Sequence, residues 1–259
     1  MLPTIHLFGL TIPIYGLCIA TAVVFGYNLS SWLGRRHPLG ADHATTLYVA
    51  ALPGAFVGIK ALEVIVEGKL DWRAGGVFLG GFIGVVCSTL LVARWKKLPA
   101  LAAMDLLAPV GAANHFFGRL GCLAAGCCYG KPTSSGIGLE FPSASVAYQT
   151  LRHTHPELIV GDRTVPLIPT QLIEALFELG LAAVLLALLL RKVRTGVVFG
   201  CYAVCYALFR FGIEFYRFDP ERGYLIDGVL STSQFISILL GGAGGWVLWR
   251  ALRTAREAR

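Results

Sequence analysis

The chain has 259 residues, of which 56% are hydrophobic and only 14% charged, and its mean hydropathy is +0.67. Soluble domains carry about 25% charged residues, so the composition excludes an ordinary soluble enzyme and predicts an integral membrane protein. A formal net charge of +7 would raise nucleic acid as a partner for a soluble chain. Here the basic residues stand at the ends of apolar segments, where they set topology, and no nucleic acid is expected.

A helix that crosses a bilayer needs about 20 mainly apolar residues, and seven segments qualify. They cover roughly 11–34, 44–66, 75–94, 99–121, 170–190, 196–218 and 228–250. The first is not read as a cleaved leader, because Arg35 and Arg36 follow it and no small-residue cleavage site is present. The predicted class is therefore an all-α polytopic membrane protein with seven transmembrane helices. It forms one transmembrane domain over 1–259, with an extracytoplasmic insertion at 129–169 as a small cap.

Lys and Arg cluster on one side of the alternation: Arg35 and Arg36; Arg94, Lys96 and Lys97; Arg191, Lys192 and Arg194; Arg250, Arg253, Arg256 and Arg259. The opposite turns balance their bases with acids, Glu67 and Asp71 beside Lys69 and Arg73, then Asp219 and Glu221 beside Arg222. This pattern predicts the N-terminus outside and the C-terminus in the cytoplasm.

Charges at bilayer depth are costly and usually functional. Lys60 and Glu63 share one face of the second segment and can pair. Asp105 opens the fourth segment, either as a helix cap or as a chemical group. In the sixth, Tyr206, Arg210, Glu214 and Arg217 recur at helical spacing and form one polar stripe. Arg119 adds a further guanidinium, and a guanidinium suits phosphate because its fork donates two hydrogen bonds. A structural salt-bridge network is the competing reading of this set. Gly80, Gly81 and Gly84 leave a nearly bare helix face, open either to tight helix packing or to close approach of a lipid headgroup. No phosphate-cradling loop is present, since the Gly-Lys-Ser/Thr ending is missing.

Of the seven cysteines, Cys18, Cys87, Cys201 and Cys205 lie inside apolar runs and read as small core hydrophobes. Cys122, Cys127 and Cys128 follow Arg119 in a glycine-rich stretch and read as packing residues, functional thiols or metal ligands. Their spacing is neither a zinc pair nor a CxxC redox motif, so no metal is expected.

Several stretches together resemble the bacterial prolipoprotein diacylglyceryl transferase family. They are IYGL at 14–17, GGVFLGGFIG at 75–84, MDLLAP at 104–109, GRLG at 118–121, PTQLIEALFE at 169–178 and YALFRFGIEFYR at 206–217. The resemblance spans nearly the whole chain, in order. It implies transfer of a diacylglyceryl group from phosphatidylglycerol to the lipobox cysteine of a prolipoprotein signal peptide. Glycerol phosphate leaves, no cofactor is needed, and the setting is the bilayer of the bacterial cell (inner) membrane. By motif match the catalytic set is Tyr15, Arg119, Tyr206, Arg210 and Glu214. Gly80, Gly81, Gly84, Lys60 and Arg217 are expected to meet the lipid.

The chain departs from the family pattern near the reacting centre. Cys122 and Ala125 stand where asparagines are common, and Cys127 where a glutamate is. Leu79 replaces an aromatic residue or histidine, Ile168 a histidine, Ile173 a tyrosine, and Lys60 an arginine. Two other activities fit such a scaffold: thiol-based redox or acyl chemistry at Cys122, Cys127 and Cys128, or small-anion transport along the arginine stripe.

Overall fold

The computed structural model describes residues 4–7, 10–67, 78–218, 224–226 and 230–253. Gly75, Gly76, the acid-balanced turns at 68–77 and 219–223, and Arg256 and Arg259 lie outside the described residues, as do the side chains of Glu67 and Leu79.

The long helices follow the hydropathy. They are α1 (Ile14–Gly34), α2 (Ala41–Glu67), α3 (Phe78–Trp95), α4 (Ala100–Ala125), α6 (Thr170–Leu190), α7 (Val197–Ile213) and α8 (Thr232–Arg253). A short α5 (Val146–Thr154) lies between α4 and α6. Among the described residues there are three antiparallel strand pairs: β1 (Thr4–Leu7) with β2 (Leu10–Pro13), β3 (Ile159–Val160) with β4 (Arg163–Thr164), and β5 (Tyr224–Ile226) with β6 (Leu230–Ser231). Among the described residues, six helices are long and apolar enough to cross a membrane, and Gly80–Trp95 is a shorter apolar one. The protein is thus a helical, polytopic membrane protein. Large apolar side chains on its helices stay uncovered, Ile65 at 77% and Leu91 at 72% exposure. In water such faces would be unstable; in lipid they are solvated.

The described residues fall into two compact units. The first takes residues from 1–25, 112–183 and 203–242; the second takes 26–111, 184–202 and 243–259.

In the second unit, Leu33, Leu47, Tyr48, Leu106 and Val110 form a buried core. The pair α2 and α3 packs backbone to backbone. A Cβ on Gly84 would overlap the Gly54 carbonyl oxygen, and one on Gly80 would overlap that of Gly58. Gly81 fits against Ile59, at 3.1 Å from its Cγ1. Of the two readings open for this bare face, the helix contact is the one that uses Gly80 and Gly84. Lys60 Nζ pairs with Glu63 Oε2 at 2.7 Å. Asp105 caps α7: Gly196 N donates to Oδ2 at 2.6 Å and Phe199 N to Oδ1 at 2.7 Å. This satisfies two of the N–H groups that a helix start leaves unpaired. Trp32, Trp95, Trp246 and Trp249 each sit under the cation of Arg36, Lys96, Arg250 or Arg253. Such pairs at helix ends are the anchors expected at a membrane interface.

In the first unit, the segment after α4 has its own small core of Tyr129, Phe141, Ala147, Leu151 and Leu167. Its two ends meet the residues after α7: Gly130 N donates to Ile168 O at 2.9 Å, Ile168 N to Lys131 O at 3.0 Å, and Lys131 N to Tyr216 O at 2.8 Å. Only glycine fits at 130, because a Cβ there would lie 2.8 Å from Ile168 Cβ, Ile168 O and Tyr216 O. Two expectations are corrected here. The sixth helix ends at Ile213, not near 218, and Glu214–Tyr216 forms a 3₁₀ turn. The bridge between Gly130 and Arg217 draws the chain into an extended conformation. Cys87 and Cys205 are exposed on helix surfaces rather than held in a core.

Candidate active site

The polar centre of the first unit is built from two helices that each carry two polar residues one turn apart. α4 presents His115 and Arg119; α6 presents Glu174 and Glu178. All four are buried, the two glutamates at 1% and 0% exposure. Arg119 Nη2 lies 3.0 Å from Glu174 Oε1, and Arg119 Nε donates to His115 Nε2 at 3.1 Å. A guanidinium cannot accept a hydrogen bond, so Nε2 of His115 is unprotonated and the ring proton sits on Nδ1. From there it is donated to Glu178 Oε1 at 2.8 Å. The arginine is therefore locked in direction and depth by Glu174 and by His115, itself braced by Glu178, before any substrate arrives.

Around this centre the fold gathers most of the residues singled out by sequence. Tyr206 is buried, its ring edge-on to His115 with centroids 5.6 Å apart. Arg210 Nη2 pairs with Glu214 Oε2 at 2.9 Å and donates to Ser233 Oγ at 3.0 Å. Arg217 is buried on the extended residue that pairs with Gly130, beyond the end of the helix. Arg119, Arg210 and Arg217 all act electrostatically on Glu174. Tyr15, at the start of α1, is half-exposed, and its ring packs over Gly121, where a Cβ would come within 3.0 Å of Cδ2. Lys60, Gly80, Gly81 and Gly84 belong to the second unit.

The three cysteines of the central stretch converge. α4 ends in a left-handed turn at Gly126, φ +75°, and Cys128 is also left-handed at φ +58°. Gly126 N and Cys127 N both donate to Cys122 O, at 2.9 and 3.1 Å. From α6, Gln171 Nε2 donates to Cys127 O at 2.7 Å and Thr170 Oγ1 to Cys128 O at 2.6 Å. Hydrogen bonds from Cys122 and Cys127, helped by the fields of Arg119 and Arg217, hold the Cys128 thiol well below its ordinary range. Hydrogen bonding to Cys122 and Cys128 pushes the Cys127 thiol upward.

Sequence reasoning missed His115, Glu174, Glu178 and Ser233 as site residues. A signal was present for three of them: two four-residue spacings of polar groups, His115 with Arg119 and Glu174 with Glu178, each inside an apolar segment.

A family model described as prolipoprotein diacylglyceryl transferase matches residues 3–250. Curated relatives align over most of their length. A phosphatidylglycerol–prolipoprotein diacylglyceryl transferase of Clostridium tetani is 34% identical over 242 residues, 90% of each chain. A second such protein, of Clostridium perfringens, is 34% identical over 249 residues, covering 92% of this chain and 91% of its own. One of Allorhizobium ampelinum is 29% identical over 267 residues, with 94% and 87% covered.

Proposed function

The chain belongs to the prolipoprotein diacylglyceryl transferase family, and we propose that it moves a diacylglyceryl group from phosphatidylglycerol to the lipobox cysteine of a prolipoprotein. The observation that carries this reading is the buried, pre-oriented Arg119, held by Glu174 and His115.

The acceptor thiol gives up its proton, because the thiolate is the nucleophile, and the departing phosphate monoester, more basic than the diester it came from, takes that proton up. Its sulfur attacks the glyceryl carbon, a C–S bond forms, and the C–O bond to phosphate breaks. Glycerol 1-phosphate leaves with the electron pair, so negative charge grows on phosphate oxygens. Guanidiniums fixed in a low-dielectric site stabilise that charge at no reorganisation cost. Arg119 and Arg210 meet the phosphate; Tyr206 and Tyr15 line the approach of the thiol; Glu214 and Arg217 hold the first two in place. His115 is a positioning residue, since it acts through Arg119. Lys60 meets the lipid in the second unit, whereas Gly80, Gly81 and Gly84 are taken up by the contact of α3 with α2. In this reading α3 is a seventh span and 1–259 works as one membrane domain. The N-terminus and the 129–169 cap face outward, the C-terminus faces the cytoplasm, and the membrane is the bacterial inner membrane. The tryptophan–cation pairs at the ends of α1, α3 and α8 support that orientation.

The test is reconstitution with phosphatidylglycerol and a lipobox peptide. Expected is lipidation of the peptide with equimolar release of glycerol phosphate, lost in Arg119→Ala and Arg210→Ala. Folded protein that lipidates no peptide, or variants as active as the parent, would overturn the assignment.

A further inference from the structure

Cys122, Cys127 and Cys128 take no part in the transfer just described, yet the fold spends considerable local structure on them. Their three Sγ atoms all lie within 4.8 Å of one another. One cation with metal–sulfur bonds of about 2.3 Å holds its sulfurs about 3.8–4.0 Å apart, so side-chain rotation alone closes the set. Among the described residues these three are the His, Cys, Asp or Glu side chains that converge in this way. The backbone beneath them is fixed at both ends. Cys122 O takes the Gly126 and Cys127 N–H groups, and α6 clamps the carbonyls of Cys127 and Cys128. Left-handed backbone at Cys128, a non-glycine residue, is strained and persists where the surroundings impose it. All three side chains are half-buried, so an ion can reach them.

We infer that Cys122, Cys127 and Cys128 form a three-thiolate site for one thiophilic d10 cation, of the Zn(II) or Cu(I) class, at the C-terminal end of α4. Sulfur donors select soft metals. Residue spacing argued against this reading, because it is not that of a zinc pair; the left-handed turn brings the sulfurs together. Loading exchanges protons for the ion: each thiol that still carries its proton releases H⁺ as its metal–sulfur bond forms, and no electrons change hands. Bound there, the ion braces the turn that leads into Gly130 and so the backbone that seats Arg217. The inference does not depend on the transfer reading, since its readout is binding.

The full-length protein, reduced and kept anaerobic in detergent, is titrated with Zn(II) against a chromophoric chelator and, separately, with Cu(I) against a Cu(I) chelator. Expected is one equivalent of one of these ions, with proton release and protection of three thiols from maleimide; the arm with the tighter binding identifies the ion. C122S, C127S and C128S should each weaken binding more than about tenfold, with C87S and C205S unchanged. Absence of binding to reduced protein with an intact thermal melt would sink the proposal. So would undiminished affinity in the triple serine variant, or a disulfide within the trio that persists in reductant and excludes both ions.

Discussion

Replacing Glu174 by glutamine isolates what the buried carboxylate does for Arg119. The change keeps shape and one hydrogen bond but removes the charge. Glu174 is 1% exposed and its Oε1 stands 3.0 Å from Arg119 Nη2. At that separation and an effective dielectric of about 20, opposite unit charges attract by about 5.5 kcal/mol. Leaving one partner of a buried pair uncompensated costs roughly 3–5 kcal/mol in practice. The melting temperature of Glu174→Gln should therefore drop sharply. A guanidinium displaced by about 1 Å loses about a hundredfold in rate, and the initial rate of peptide lipidation should fall by that order. Glu178→Gln is the comparison. Its Oε1 touches His115 Nδ1 at 2.8 Å and reaches Arg119 only through the ring, so its loss should be about tenfold smaller. The measurements are thermal melts and initial lipidation rates in lipid nanodiscs. A Glu174→Gln protein that melts and turns over like the parent, or a ranking reversed with Glu178→Gln, would refute this account of the centre.

Other outcomes follow from the second unit. Gly84→Ala places a methyl group on the Gly54 carbonyl oxygen and should destabilise by 1–3 kcal/mol or more, as overpacking does, read as a lower melting temperature. Asp105→Ala removes both acceptors from the start of α7 and should cost about 0.5–2 kcal/mol; Asp105→Asn, with one acceptor left, should lose less. Burial lowers the His37 pKa below its ordinary 6.5, so the unfolded chain takes up the proton first. Stability from this group is complete above pH about 6.5 and is lost as pH falls through the folded value. His37→Gln should flatten the acid side of a melting-temperature profile, and an unchanged profile would count against His37 as its source.

How far the sequence could be read depended on the range of the contacts involved. Helices were legible because hydropathy is a local property, and the bare face at Gly80 and Gly84 was visible, but whether a helix or a lipid covers it is settled only by the partner carbonyls of Gly54 and Gly58. The stripe from Tyr206 to Glu214 was legible from periodicity alone. His115 carried a local sign in its four-residue spacing to Arg119, but its pairing with Glu178, 63 residues away, left no trace in the local pattern. The end of α7 was misplaced for a similar reason: GIEFYRF continues an apolar run, while the main-chain bonds that hold Tyr216–Phe218 come from the distant residues Tyr129–Lys131. The meeting of Cys122, Cys127 and Cys128 rests on left-handed backbone at Gly126 and Cys128, which residue spacing does not reveal.

The three-way main-chain junction of Gly130, Ile168 and Tyr216 bears on biosynthesis. A chain emerging from the ribosome delivers the 129–169 segment long before residue 216 exists. The entry and exit of that segment can pair with each other at once, but the third partner arrives only after α6 and α7 have been made and inserted. Arg217, seated by this junction, is thus among the last site residues to be placed. Nascent chains halted after α6 should carry a protease-sensitive cap, and protection should appear only once synthesis has passed residue 218, when Phe218 N can reach Tyr129 O. Because the site is completed at the end of synthesis, partly made chains do not display a finished charge cluster to the lipid around them.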